Sequence, residues 1–205
     1  MRQKKIKRIS ICIAASLLLF ASCSEDDVTI QDDEVQMGEC LKVGDMREGG
    51  IVFYIDSTNE HGLIAATMDQ SEGAPWGCAG ALQRFAQQRD IGFGSTNTEA
   101  ILTNCKDVNI AAKICSDLEL NGYDDWFLPT INEMRLLEHH KNSVGGFALG
   151  GTSIYATSTE LGGSLNNNET VKLFAVDFSN NPVSPDHGIA QDKSALLRVR
   201  AIRKF

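Results

Sequence analysis

Cysteine is the residue type with the widest chemical scope in this chain, and its positions divide it into two parts. Cys23 stands where an apolar run ends, directly behind Phe20, Ala21 and Ser22, whereas Cys40, Cys78, Cys105 and Cys115 are spread through the remainder of the chain. The four beyond Cys23 have 37, 26 and 9 residues between them, with no CxxC and no paired histidines nearby, a pattern that disfavours zinc. Cys40, Cys78, Cys105 and Cys115 are therefore candidate disulfide cysteines, with three possible pairings and free buried thiols as the alternative. The histidines are His61, His139, His140 and His187. His139 and His140 are neighbours on one predicted helix and diverge by about 100°, which makes them a poor joint metal site. No Gly-x-Ser-x-Gly elbow, His-Glu-x-x-His helix or phosphate loop is present. The expectation is a chain with no catalytic residues, no metal and no cofactor, not an enzyme.

The segment in front of Cys23 explains why that thiol matters. Arg2, Lys4, Lys5, Lys7 and Arg8 precede an apolar run from Ile9 to Phe20, the layout of a secretory signal peptide over residues 1–22. The run is shorter than the roughly 20 residues a spanning helix needs. With Phe20-Ala21-Ser22-Cys23 at its end it resembles the lipobox of bacterial lipoproteins, which implies lipidation of Cys23 and cleavage before it. Two or more acyl chains anchor a protein stably to a membrane. Ser24-Glu25-Asp26-Asp27 resembles the acidic signal that sends some outer-membrane lipoproteins to the cell surface. Residues 23–38 then read as a lipidated flexible tether, poor in apolar content. Residues 39–205 fit one globular domain.

Cleavage removes five of the 19 Lys and Arg and none of the 27 Asp and Glu, so the mature chain carries 14 minus 27, or −13. Nucleic acid, bound through cationic side chains, is not an expected partner. The membrane, through the lipid, is one; a glycan or an envelope protein is the other.

Within the domain, Ile51 to Ile55 and Gly62 to Ala66 read as two strands joined by a turn at Asp56-Ser57-Thr58-Asn59. Asp56-Ser57-Thr58 also resembles a short O-glycosylation motif with Ser57 as acceptor. Thr96 to Glu99 has the spacing of a capping box, predicting a short helix to about Asn104. Ile110, Ala111, Ile114 and Leu118 form a helical stripe, with Cys115 beside it, closed by Asn121-Gly122. A second capping box, Thr130 to Glu133, predicts a helix reaching about His140. Strands follow at Ser153 to Ser158, at Val171 to Phe178, with Phe174, Val176 and Phe178 on one side, and at Leu197 to Ala201, with Arg198 and Arg200 facing outward. Strands, then helices in the middle, then strands with long loops in the second half make an α+β domain of mixed or antiparallel sheets with two or three helices.

Several blocks together resemble one family. They are Gly49-Gly50-Ile51-Val52-Phe53-Tyr54, His61 to Ala66, Trp76-Gly77-Cys78, Asn121-Gly122-Tyr123, Asp125 to Thr130 with Glu133, and Val199 to Arg203. The family is the domain of unknown function typified by the C-terminal region of the Legionella collagen-like adhesin. The resemblance implies a C-type-lectin-like fold shared with the formylglycine-generating group, with the first and last strands paired. The family's aromatic-Trp-Ser-Ser-Ser-Glu block is represented here by Tyr155 to Glu160, with Ala156 in place of the tryptophan. The calcium signatures of sugar-binding lectins are missing, and Asn180-Asn181-Pro182 and Pro185-Asp186 only echo them. Asn166, Asn167, Asn168, Asn180, Asn181, Asp186 and His187 fall on segments that such a scaffold would gather; with Tyr155 they are the candidate ligand-binding residues. Trp76 and Trp126 are read as core. Arg198, Arg200 and Arg203 are expected to pair with carboxylates rather than form a basic stripe. The function implied is an outer-membrane lipoprotein carrying a non-enzymatic binding or adhesion domain that recognises glycans. The alternatives are a structural envelope lipoprotein with protein partners, and an enzyme of the formylglycine-generating group, whose active-site cysteine sequence this chain does not match.

Overall fold

A computed structural model describes residues 41–83, 85–150, 153–162, 171–180 and 188–205. The folded unit is Lys42–Phe205. Its first sheet begins with β1 (Met46–Arg47), β2 (Gly50–Ile55) and β3 (Gly62–Ala65), each antiparallel to the next. The expected hairpin is present. At its turn the Asp56 carboxylate accepts from the Thr58 amide at 2.9 Å and the Thr58 hydroxyl at 2.6 Å, an Asx-type closure that needs no helix or sheet partner. Both flanking strands rely on glycine where backbones crowd: a Cβ on Gly50 would stand 2.4 Å from the Ala65 carbonyl, and one on Gly62 2.1 Å from that of Tyr54.

After β4 (Ser71–Ala74) a long irregular segment leads to α1 (Gly94–Asn104), α2 (Ala111–Ser116), α3 (Ile131–His139) and the single turn α4 (Lys141–Val144). The chain closes with β5 (Ile154–Leu161), β6 (Lys172–Asp177), β7 (Gly188–Asp192), β8 (Leu197–Val199) and β9 (Ile202–Lys204). The second sheet runs β4-β8-β5-β6-β7, with β8 and β5 parallel and the other pairs antiparallel. β9 joins the first sheet beside β3. The class is α+β, with one antiparallel and one mixed sheet and few helices.

Two cores separate the layers. Trp76, Ile101, Ile110, Cys115, Trp126 and Leu128 pack with Leu173, Ala175 and Val199, whereas Phe53, Phe127, Ile131, Met134 and Leu137 pack with Tyr155, Val176 and Phe178. The alternation of β6 decides this division: residues 173 and 175 face one core, and residues 176 and 178, with Phe174 alongside, face the other. A strand covered on both sides serves as the partition between them.

Several sequence expectations need correcting. α1 starts at Gly94 with Phe93 at the cap and no side-chain cap bond. Thr96 and Glu99 therefore lie inside the helix rather than at its start, while Thr98 accepts from the Leu128 amide at 3.1 Å and Asn97 donates to the Gln88 carbonyl at 2.8 Å. Asn121 and Gly122 are both left-handed, but they turn the bridge between Leu120 and Tyr123 rather than close α2, which ends at Ser116. The final strand is two strands in two sheets, broken at Arg200 and Ala201. Arg200 points inward rather than outward, because Asp69 and the carbonyls of Ala66, Gly145 and Gly146 receive its guanidinium. The last strand lies in the sheet of the first ones but pairs with β3, not with β2.

Candidate functional site

The second capping box is complete. Thr130 accepts from the Glu133 amide at 3.2 Å, and Glu133 accepts from the Thr130 amide at 2.7 Å. Glu133 goes further, taking the Gly92 amide at 2.7 Å and so tying the segment before α1 to the start of α3. Burial raises its carboxyl above the usual range, against the pull of those amides. This residue positions a loop.

Two buried ionic clusters lie elsewhere in the fold. At one, Asp69 takes the Arg198 guanidinium at 3.1 Å, that of Arg200 at 2.8 Å and the Tyr155 hydroxyl at 2.8 Å. Tyr155 in turn accepts from the Ala148 amide at 2.9 Å, and the Arg200 guanidinium lies 4.1 Å over the Phe147 ring. Burial pushes the Tyr155 phenol up to about 12, with Asp69 adding to the rise. The cluster holds the glycine-bearing segment 145–148 against the second sheet.

At the other, Glu160 and Lys193 form an ion pair whose side chains are both 0% exposed. Glu160 also receives the Gln83 amide on both oxygens, at 2.7 and 2.9 Å, and Lys193 donates to the Ala81 carbonyl at 2.6 Å while lying 4.2 Å over the Trp76 ring. Burial pulls the Lys193 ammonium below its usual range, and Glu160 opposes the shift. Trp76 is itself buried, its indole N–H donating to the Thr157 carbonyl at 2.9 Å. A disulfide between Cys78 and Cys105 fastens the same segment to the end of α1.

The predicted site residues fare unequally. Cys78 and Cys105 are bonded to each other, whereas Cys115, also a disulfide candidate, is a free thiol buried on α2 inside the first core, and burial pushes its pKa up. Tyr155 cannot meet a ligand as the resemblance implies: it is buried, and its hydroxyl is spent on Asp69 and Ala148. Ser57 is exposed in its turn, and Asn180 is exposed just after β6. Cys23, Cys40, Asn166, Asn167, Asn168, Asn181, Asp186 and His187 lie outside the described residues. Arg203 pairs with Asp125 and reaches Glu48 at 3.4 Å, so all three arginines have carboxylate partners, as expected.

With the geometry in place, comparison with known proteins adds no relative. No family model matches the sequence, and no curated protein is detectably similar to it.

Two open clefts mark the described surface. One of about 580 Å³ lies between α1 and the segment Asp124 to Phe127, with Glu99, Lys106, Asp124 and Asp125 at its rim. Lys106 caps the carbonyls of Leu102 and Thr103 at 3.3 and 2.8 Å, and Asp125 is held by Arg203. A second, of about 680 Å³, runs along Asn132, Arg135, Leu136 and His139 of α3 beside Asp90 and Ile91. Both are open to solvent. Asp69 and Lys193 escaped the sequence reading. Their partners lie too far away in the chain for any local motif to flag them.

Proposed function

We propose that the chain is a lipoprotein of the outer membrane, anchored through acyl chains on Cys23, whose C-type-lectin-like domain binds glycans without catalysis. The domain is read as a relative of the family typified by the Legionella adhesin region. The carrying observation is the arrangement at the front: basic residues, a short apolar run and small residues directly before Cys23. Among the described residues no helix is long and apolar enough to cross a membrane. The domain adds support of a different kind. Its buried ionisable side chains, Glu133, Glu160, Lys193 and Arg200, and the half-buried Asp69 are spent on holding loops. Rigid loops on a fixed scaffold suit recognition.

Detergent-solubilised full-length protein is applied to a printed panel of hexose, N-acetylhexosamine and uronic-acid oligosaccharides, beside an envelope pull-down. Saturable binding to a glycan supports the proposal. A blank panel with a stoichiometric protein partner in the pull-down replaces it with a structural envelope role.

A further inference from the structure

The hairpin turn between β2 and β3 closes on itself. The Asp56 amide donates to the His61 carbonyl at 2.9 Å, the Asn59 amide to the Asp56 carbonyl at 3.2 Å, and the Glu60 amide to the Thr58 hydroxyl at 3.2 Å. The Asp56 carboxylate spends Oδ1 on the amide and hydroxyl of Thr58 and holds no hydrogen bond at Oδ2 among the described residues. The Thr58 hydroxyl keeps that carboxyl below its usual range, so it is charged at neutral pH. Asn59 completes the turn in the left-handed region, at φ 58°. All these bonds lie between Asp56 and His61, so the turn carries its shape in its own sequence.

Ser57 stands apart in this turn. Residues 57–61 are exposed, and the Thr58 hydroxyl is committed twice, whereas the Ser57 hydroxyl has no partner among the described residues. An exposed loop tip of small polar residues is where a modifying enzyme, like a protease, gains access to the chain. A hydroxyl that supports nothing in the fold takes a bulky substituent without displacing a contact. Thr58 would have to open the turn to react. On the export route read from the front of the chain, sugar donors are lipid-linked diphosphates, while the nucleoside triphosphates used in phosphorylation stay in the cytoplasm. We infer that Ser57 is an O-glycosylation acceptor, recognised through the Asp56 carboxylate and the turn it closes; this rests on export of the chain and not on its binding a glycan. In the transfer, Ser57 Oγ bonds to the anomeric carbon of the sugar as the bond from that carbon to the diphosphate oxygen breaks. The lipid diphosphate leaves with the electron pair, and the hydroxyl proton passes to a base of the transferase.

The test uses protein purified from its native envelope as wild type, Ser57→Ala, Ser57→Thr and Asp56→Ala. Intact mass is read together with site-localising fragmentation of the peptide that carries Ser57. Wild type is expected to carry whole sugar residues on Ser57. The increment should vanish in Ser57→Ala, persist in Ser57→Thr, and vanish in Asp56→Ala, which removes both the charge and the closure of the turn. Ser57→Ala should melt like wild type, because the hydroxyl bonds to nothing in the fold. If the lipidated chain carries no sugar on Ser57, carries it on Thr58 or carries a phosphate instead, the assignment falls and the outer-membrane reading stands. An increment that survives Ser57→Ala overturns it equally. If the chain keeps residues 1–22 and bears no lipid, the export reading falls and takes this assignment with it.

Discussion

The Asp69 and Glu160 clusters use the same chemistry to different ends. Asp69 is 13% exposed and shared among two arginines and a tyrosine, so water and three donors compete for one carboxylate. Glu160 and Lys193 are sealed completely, and the backbone groups that their side chains bind belong to the segment 81–83. A shared, partly water-accessible hub is cushioned against the loss of one member, because Arg198 and Asp69 reach water and Arg200 keeps the carbonyls of Ala66, Gly145 and Gly146. A sealed pair has no such recourse.

Truncating the sealed pair should therefore produce the largest effect: Lys193→Ala is expected to cost about 3 to 5 kcal/mol in chemical denaturation, since it strands a buried carboxylate. The double variant Glu160→Gln with Lys193→Met should recover much of that loss. Additivity of the two single changes would contradict the pairing. Next comes the covalent tie on the same segment. Cys78 and Cys105 are 27 residues apart, and replacing both with alanine should lower stability by about 3.5 kcal/mol on the loop-closure account. Thiol counting should then find the same buried Cys115 unreactive until the protein unfolds.

Asp69→Asn should cost less, about 2 kcal/mol, as one charged acceptor among several donors is weakened. The smallest expected change is Tyr155→Phe, about 1 kcal/mol at neutral pH from lost hydrogen bonds. It also has a pH signature. The Tyr155 phenol titrates near 10.0 when unconstrained and is raised to about 12 in the fold. A raised value means that its contribution is fully present below pH 10 and is lost as pH climbs through 12. Denaturation midpoints measured across that interval should fall more steeply for wild type than for Tyr155→Phe. Parallel curves would show that Tyr155 titrates as if unfolded.

The same contrast explains which features were legible in the sequence. The Thr130 and Glu133 box was readable because both partners sit three residues apart, and the hairpin around Asp56 because its turn closes on itself. The two faces of β6 followed from its alternation. Trp76 and Trp126 were recognisable as core from their apolar neighbours. Local patterns misled elsewhere: the Thr96 to Glu99 spacing mimicked a cap, but the helix starts two residues earlier, at Gly94. Arg200 read as an outward strand residue until Asp69, 131 residues earlier, drew it inward. Of the sealed pair, Glu160 lay in a block already noticed, but nothing near Lys193 marks it as buried.

Intact-mass analysis of the mature protein from its native envelope tests the anchoring claim most directly. The account predicts a chain that begins at Cys23 and carries a diacylglyceryl thioether with acylated amine, and that loses both with Cys23→Ala. A mature chain with an unmodified cysteine at its start, or one still bearing residues 1–22, would contradict it.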